Sequence, residues 1–530
     1  MLAGGGAGRE IAAWILDGTP TLDMFSFDVS RYHEGTVANA KWVEDRTHES
    51  YAKTYAIVFP HDEALAGRGA RKSHIHDDLV SNGCVHQARH GFERPGWFVD
   101  PSEPAFPLDY DYYGAYSGED NAWRLGPDRA GDDLPAHEKH RYNDLIDGEL
   151  TFDWPASHNV VAEECRAARQ GVALFDQSYF GKFHISGARA AAAVQFLCGA
   201  DIEAKGVGGV TYTPLCNKFG GVEADLTIAH LSDERFYVAS GGNTVTKDFA
   251  WIRRIMDAGG FDDVELKDDS DEFALISVQG PHSRRLLQSV GLDQSIENED
   301  LPFSHCLENV TVAGNKGIRV LRLTFVGELG FELHAPKECA RQVYAALKAA
   351  GAAYESDHGV PVRDAGYRCI DSCSAEKNLR HWHADLSNCD SPMEAGIGFT
   401  VLPKLKRIAA GDDSAKFYGC EALQKKREEG LQRKLICLTL DKHVPLHGFE
   451  TIRLDGKPIG LVRSTAFGHT IGKTIAYGYI KKPAELAKIT NKWLKSLPSD
   501  SWTVGDKGDV FPATLHIKAP FDPSNEKIKG

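Results

Sequence analysis

The 530-residue chain has few of the short signatures that carry chemistry by themselves. There is no GxSxG elbow, no HExxH pair and no P-loop, which excludes the simplest serine-hydrolase, zincin and Walker-type readings. None of the eleven cysteines stands in a CxxC pair, so zinc-ribbon and thioredoxin patterns are absent. No run of about 18 apolar residues occurs, so no membrane-spanning helix and no membrane partner are expected. Positive charge is in the minority: 60 Lys and Arg stand against 75 Asp and Glu, a net charge of −15. Such a chain repels phosphate backbones, so nucleic acid is not an expected partner. The first residues carry no basic region ahead of their apolar run, and they include Glu10 and Asp17. Neither a signal peptide nor a transit peptide is read there. The cysteines then read as reduced thiols of an intracellular protein.

What is present is ordinary globular material, 42% hydrophobic and 25% charged, and the length predicts three or four domains. The texture divides the chain into residues 1–50, 51–150, 151–410 and 411–530. In the first part, Gly4–Gly8 reads as a loop feeding a helix on which Ile11, Trp14 and Ile15 form an apolar stripe, stopped by Gly18. The second part reads as a connector. It holds one short strand, Tyr55–Phe59 closed by Pro60, then Pro-, Tyr- and Asp-rich stretches with few apolar residues. The third part interleaves helices (Val160–Arg169, Ala188–Cys198, a stripe at Val245, Phe249, Ile252 and Met256) with strands (Val172–Phe175, Lys182–Ile185, Phe273–Val278). Leu321, Leu323 and Phe325 alternate with polar residues, the pattern of a half-buried strand. The fourth part reads as short strands and turns, with Asp455-Gly456 as a hairpin signal. The fold class expected is α+β with a small C-terminal all-β domain.

Two groups have ligand-type residues: His74, His76, Asp77 and Asp78, and His381, His383 and Asp385. Neither matches a standard metal spacing, and no metal is assigned. Cys369, Cys373 and Cys389 read as structural thiols. Two turns stand out. In the first, Gly220-Gly221 delivers a strand whose Asp225 lies among apolar residues, and such a carboxylate costs desolvation unless something uses it. In the second, Glu328 sits at a tip between Gly327 and Gly330.

The string Gln170–Gly187 strongly resembles the opening motif of the glycine-cleavage T-protein (aminomethyltransferase) family. Gly220–Asp225, Phe325–Glu332, Asp371-Ser372 with Glu376, and Ser391–Gly396 match further motifs of that family in order. The likeness extends to the sarcosine and dimethylglycine dehydrogenase family. Gly4–Tyr32 resembles the end of its flavin domain, and His48–Glu63 and Gly91–Phe98 resemble its connecting segment. Asp109–Tyr116, Arg380–Asp385 and Lys473–Ile480 resemble its sarcosine-specific members. That family begins with a large flavin domain, whose dinucleotide fingerprint and flavin-linked histidine do not occur here. The chain therefore resembles the C-terminal part of such an enzyme.

The resemblance implies a T-protein-like folate-binding body at 151–410, a C-terminal β-barrel at 411–530, and the tail of a flavin oxidoreductase domain at 1–50 with a connector at 51–150. It implies tetrahydrofolate as cofactor, FAD in the full-length family, sarcosine and folate as small-molecule partners, an electron-transfer flavoprotein as electron acceptor, and the mitochondrial matrix as location. The implied reaction is demethylation of sarcosine to glycine, giving 5,10-methylenetetrahydrofolate. By the same resemblance Asp225 is the catalytic proton acceptor. Ala224 replaces the family's first turn aspartate, which leaves Asp225 alone in that role. Glu328 would bind the paired N–H donors of the pterin edge, Tyr212 and Asn217 would flank the ring, and Arg368 would meet the glutamate tail or form a structural ion pair. Two alternatives share the architecture: a non-catalytic protein like the regulatory subunit of pyruvate dehydrogenase phosphatase, and a free-standing aminomethyltransferase. The pair Asp225 and Glu328 speaks against the first, and the segment 1–150 against the second.

Overall fold

The structure, a computed structural model, describes residues 4–100, 148–506 and 508–530. The Asp109–Tyr116 match and the proline-rich run from Pro101 lie outside the described residues.

Helix α1 (Gly4–Asp17) and helix α2 (Ala40–Ala52) precede a ribbon of two strands, β1 (Cys84–Arg89) and β2 (Phe92–Phe98). Helix α3 (His158–Gln170) leads into β3 (Val172–Asp176), β4 (Gly181–Ser186) and helix α4 (Ala190–Leu197). The hairpin of β5 (Val210–Cys216) and β6 (Val222–Ser232) continues into β7 (Arg235–Ser240), helix α5 (Val245–Ala258) and β8 (Glu265–Asp268). Then come β9 (Phe273–Gln279), α6 (Ser283–Val290), β10 (Cys306–Val312), β11 (Asn315–Leu321), β12 (Gly330–Pro336), α7 (Ala340–His358), β13 (Val362–Asp364) and α8 (Tyr367–Glu376). Helices α9 (Leu402–Ala409) and α10 (Cys420–Glu429) precede β14 (Arg433–Leu440), β15 (Thr451–Leu454), β16 (Lys457–Gly468), β17 (Lys473–Lys481), β18 (Trp502–Asp506) and β19 (Asp509–His516).

The strands form a six-stranded sheet in the order β10-β11-β12-β9-β3-β13, a five-stranded sheet in the order β5-β6-β7-β4-β8, and a closed barrel β14-β17-β16-β15-β18-β19. The expected α+β body and C-terminal β-barrel are both present. Each sheet buries one helical layer. Leu286 and Leu287 of α6 and Val343 and Leu347 of α7 pack on the first core, whereas Val194 of α4 and Trp251, Ile252, Ile255 and Met256 of α5 pack on the second. In the barrel, period-two alternation buries Ile452 and Leu454 of β15 between the half-buried Thr451 and Arg453. The Asp455-Gly456 turn has both residues at positive φ, 49° and 76°, the left-handed pair that a two-residue hairpin needs.

Three local expectations are corrected. Helix α1 runs straight through Gly4–Gly8 rather than following a glycine loop. Tyr55–Phe59 is not a strand, and Tyr55, Ile57 and Val58 are exposed; an apolar pentapeptide with no pairing partner has nothing to satisfy its backbone as a strand. The strand expected through Leu321, Leu323 and Phe325 ends at Leu321, because the following residues turn into the Glu328 loop.

The barrel is tied to the body through α8. Ser372 Oγ donates to the Phe467 carbonyl at 2.7 Å and Tyr477 Oη to the Ala375 carbonyl at 2.5 Å. The backbone N–H groups of Thr470 and Ile471 donate to Glu376 Oε1 at 2.7 and 3.1 Å.

Candidate active site

The first feature is the β5–β6 hairpin. In its register Tyr212 faces Thr227 and Pro214 faces Asp225, so Tyr212 and Asp225 are diagonal neighbours on one face of the sheet. Tyr212 Oη donates to Asp225 Oδ2 at 2.8 Å. Burial raises the Asp225 carboxyl from the ordinary 3.8 to about 6. The Tyr212 hydrogen bond and the charge of His381 oppose that rise, and the buried carboxyl of Asp248 adds to it. The Tyr212 phenol is pushed well above its ordinary range by burial, then by the Asp225 charge.

The turn that sets this hairpin is built by Asn217. Its Oδ1 accepts the N–H groups of Phe219 and Gly221 at 3.0 and 2.9 Å, and its Nδ2 donates to Glu223 and to the Asn388 carbonyl at 3.1 and 2.9 Å. A Cβ on Gly221 would lie 1.7 Å from that same carbonyl oxygen, and Gly220 sits at φ +75°. Only glycines fit there.

The second feature is a cavity of about 290 Å³ between the α+β body and the barrel. Its walls include Arg368 and Asp371 of α8, His381 and Asp385 of the following loop, and Phe467 and Tyr477 of the barrel. The His381 ring stacks on Phe325 with centroids 4.7 Å apart. It is fixed at Nδ1 by Tyr367 Oη at 3.2 Å and at Nε2 by Ser374 Oγ at 2.7 Å. Asp385 accepts the His381 N–H at 2.8 Å and the Ser464 hydroxyl from the barrel. Arg380 lies over the Tyr477 ring at 4.6 Å and donates to the Ala395 carbonyl at 3.1 Å, while its Nη1 has no protein partner. Asp225 feels the His381 charge, and Tyr212 feels Arg380 and Asp385. These residues form one electrostatic cluster.

The third feature is the loop between β11 and β12. Thr324 Oγ1 accepts the N–H groups of Val326, Gly327 and Glu328 at 3.4, 2.9 and 3.2 Å. This holds Glu328 inward at 1% exposure. Arg169 of α3 donates to Glu328 at 3.3 Å, to Glu376 at 2.8 Å and to the carbonyls of Val326 and Cys373 at 2.6 and 3.2 Å. Burial raises the Glu328 carboxyl to about 7, against the pull of Arg169 and Lys527.

The structure therefore brings Asp225 and Tyr212 into direct contact. Asn217 gives its side-chain amide to the turn, with Oδ1 accepting two N–H groups and Nδ2 donating to Glu223 and Asn388. Glu328 is not a turn-tip acid in solvent but a buried partner of Arg169. Arg368 pairs with Glu149, and also meets Ser157 Oγ at 2.5 Å and the Trp97 ring at 4.3 Å. Its Nη2 has no partner among the described residues. Of the ligand-type groups, His74 meets the Asp271 carbonyl at 3.0 Å, His76 stacks beside His86, and His383 pairs with Asp23 at 3.5 Å.

Sequence reasoning missed Asp248 and Lys247, which stand on α5 beside Glu223 with Lys247 Nζ 3.4 Å from each carboxylate. Lys247 also lies over the Trp382 ring at 4.3 Å. The available signal was an aspartate within the buried stripe of α5.

The family model described as "GCVT N-terminal domain" matches residues 75–404. Models for an FAD dependent oxidoreductase central domain and for a glycine cleavage T-protein C-terminal barrel domain match 17–73 and 433–522. Mouse mitochondrial sarcosine dehydrogenase is 42% identical over 544 aligned residues, covering 100% of this chain and 55% of that protein. The chain thus spans about half the length of that relative. An aminomethyltransferase of Halothermothrix orenii is 32% identical over 70% of this chain and 94% of its own length. The crystal structure of the glycine cleavage system aminomethyltransferase T of Bartonella henselae superposes with a TM-score of 0.61 over 85% of this chain and 98% of that one, at 20% identity, a likeness of fold. With its two sheets, its closed barrel and these matches in register along the chain, the protein belongs to the glycine-cleavage T-protein (GCVT) family.

Proposed function

We propose that the chain is the folate-binding, one-carbon-accepting part of a sarcosine dehydrogenase. In this reading the one-carbon unit released when sarcosine becomes glycine is transferred to tetrahydrofolate, giving 5,10-methylenetetrahydrofolate. The observation that carries it is Asp225. It is a carboxylate raised to about 6, bonded to Tyr212 and electrostatically joined to a cavity of ring-sized volume. Tetrahydrofolate supplies the nucleophilic nitrogen. The chain's own task is to take the proton that leaves as the new carbon–nitrogen bond forms, and a carboxyl group with a pKa near 6 is ionised at neutral pH yet basic enough to accept it.

The residues fit a folate. The stacked pair Phe325 and His381 offers a flat wall beside the cavity. Arg368 lines the cavity, and its guanidinium, whose Nη2 has no partner among the described residues, is the donor proposed for a carboxylate tail. Tyr212 orients the Asp225 carboxylate. Glu328 is the acid proposed for the pterin edge, and it reaches that edge only by loosening its contact with Arg169. Flavin fits less well. With α1 helical through Gly4–Gly8, no glycine loop forms there to cradle a phosphate. The mitochondrial name of the mouse relative supports a mitochondrial location, with the matrix as the finer proposal.

Calorimetry with tetrahydrofolate, beside a single-turnover transfer assay supplied with formaldehyde, tests the reading. Wild-type chain is expected to bind folate and complete the transfer. A chain that binds no folate returns the assignment to a non-catalytic interaction protein.

A further inference from the structure

Cys369 and Cys373 stand four residues apart on α8, so their thiols share one face of that helix. The face packs against α3, which presents Cys165. The three Sγ atoms lie within 4.8 Å of one another, and the residues are 0%, 0% and 1% exposed. Buried cysteines serve as small apolar side chains in many cores. Core packing alone does not require three sulfurs to converge, and among the described residues no other cysteines form such a group. The expectation of isolated structural thiols came from spacing along the chain, and Cys165 lies far from the other two in sequence.

Bonds of about 2.3 Å from a metal to thiolate sulfur place three sulfurs about 4 Å apart around one ion. The cluster needs to contract by less than about 1 Å to reach that spacing. Among the described residues no fourth His, Cys or carboxylate ligand atom joins the group. Tetrahedral zinc is poorly served by such a site, and soft ions that accept sulfur ligands alone are better served. Arg169, one turn along α3 from Cys165, donates to the Cys373 carbonyl at 3.2 Å and is itself paired with Glu328 and Glu376.

We propose that Cys165, Cys369 and Cys373 form a buried trigonal thiolate site for a soft, thiophilic metal ion of the kind copper(I) represents. The site is distinct from the Asp225 cluster and independent of the folate reading. On binding, three metal–sulfur bonds form, three S–H bonds break, and the three protons pass to solvent, with no change of oxidation state.

The test uses the whole chain, reduced and held without oxygen. Copper(I) is added in competition with a chromophoric chelator such as bicinchoninate, and copper-edge X-ray absorption is recorded on the loaded protein. The expected result is one ion retained per chain, a thiolate-to-copper absorption in the ultraviolet, and three sulfur neighbours at about 2.3 Å. Cys369→Ser and Cys373→Ser should weaken retention by more than the roughly 10–100-fold typical of losing an outer-shell partner. Cys389→Ser, at an exposed thiol, should change nothing. The proposal is overturned if the chelator keeps all the copper, if nitrogen or oxygen occupies the first shell, or if Cys389→Ser removes the ion while Cys369→Ser retains it. Should the serine variants fail to fold, the first shell measured on the wild-type chain decides alone.

Discussion

Asp225 and Glu328 are both acids delivered by glycine-containing turns, yet the fold treats them differently. Asp225 emerges on a regular strand, partly open, with a neutral phenol as its hydrogen-bond partner. Glu328 is closed in, with a guanidinium as its partner and a loop pinned by Thr324 behind it. Burial raises both, to about 6 and about 7. A partly open carboxylate held by a phenol is free to exchange a proton. One facing an arginine is better suited to holding a charge in place. In the proposed function the first acid does the chemistry, and the second binds and supports.

The largest expected effect breaks the comparison at Asp225. Asp225→Asn keeps the shape and the Tyr212 contact but removes the base. Single-turnover transfer should fall by roughly 10²–10⁴-fold, while tetrahydrofolate binds nearly as before. Equal loss of affinity in both acid variants, with transfer intact at saturating folate, would make Asp225 a binding residue.

At Glu328 the cost should appear in equilibrium measurements. Glu328→Gln should weaken folate binding by roughly 2–3 kcal/mol in calorimetry.

The two acids should also separate by pH. A proton acceptor must be ionised, so transfer should decline as pH falls through about 6, and Asp225→Asn should abolish that limb. Stability runs the other way. The folded carboxyl is raised above its unfolded value, so ionising it costs the folded state. Stability is greatest below about 4 as far as this group is concerned, and it declines as pH rises through about 6. Above that pH Asp225→Asn should gain up to about 3 kcal/mol in a denaturant titration, from roughly two pKa units at 1.36 kcal/mol each. A loss of stability in Asp225→Asn at neutral pH would show that the Tyr212 contact outweighs desolvation.

Smaller effects test the surroundings. Asn217→Ala should cost roughly 1–3 kcal/mol of stability by leaving turn groups unsatisfied, with folate affinity of the folded fraction unchanged. On the barrel, Asp441→Asn removes an exposed pair with Lys473 and should leave folate affinity within about 0.5 kcal/mol. A loss of several kcal/mol there would make the barrel surface part of the site.

Much of the fold was legible in the chain. The stripe of α5, the apolar run of β9 and the Asp455-Gly456 hairpin follow from local periodicity and turn chemistry, which depend on near neighbours. Tyr55–Phe59 shows the limit, because its residues have strand character but the fold supplies no strand to pair with. In the site, Asp225 stood out as an acid among apolar residues. The position of Glu328 between glycines suggested a solvated tip, since nothing local announces Thr324 pinning the loop or Arg169, some 160 residues earlier, meeting its carboxylate.

The sequence by itself determined the α+β body, the barrel and the glycine turn that presents Asp225, because each depends on local pattern or on motifs in order. Only the tertiary structure decided that Tyr212 bonds Asp225, that Asn217 builds the turn, that Arg368 pairs with Glu149, and that three cysteines from two helices meet at one point. Those outcomes depend on which helix faces and strand edges pack together across the chain, and burial, which sets the carboxyl pKa values, exists only once they have packed.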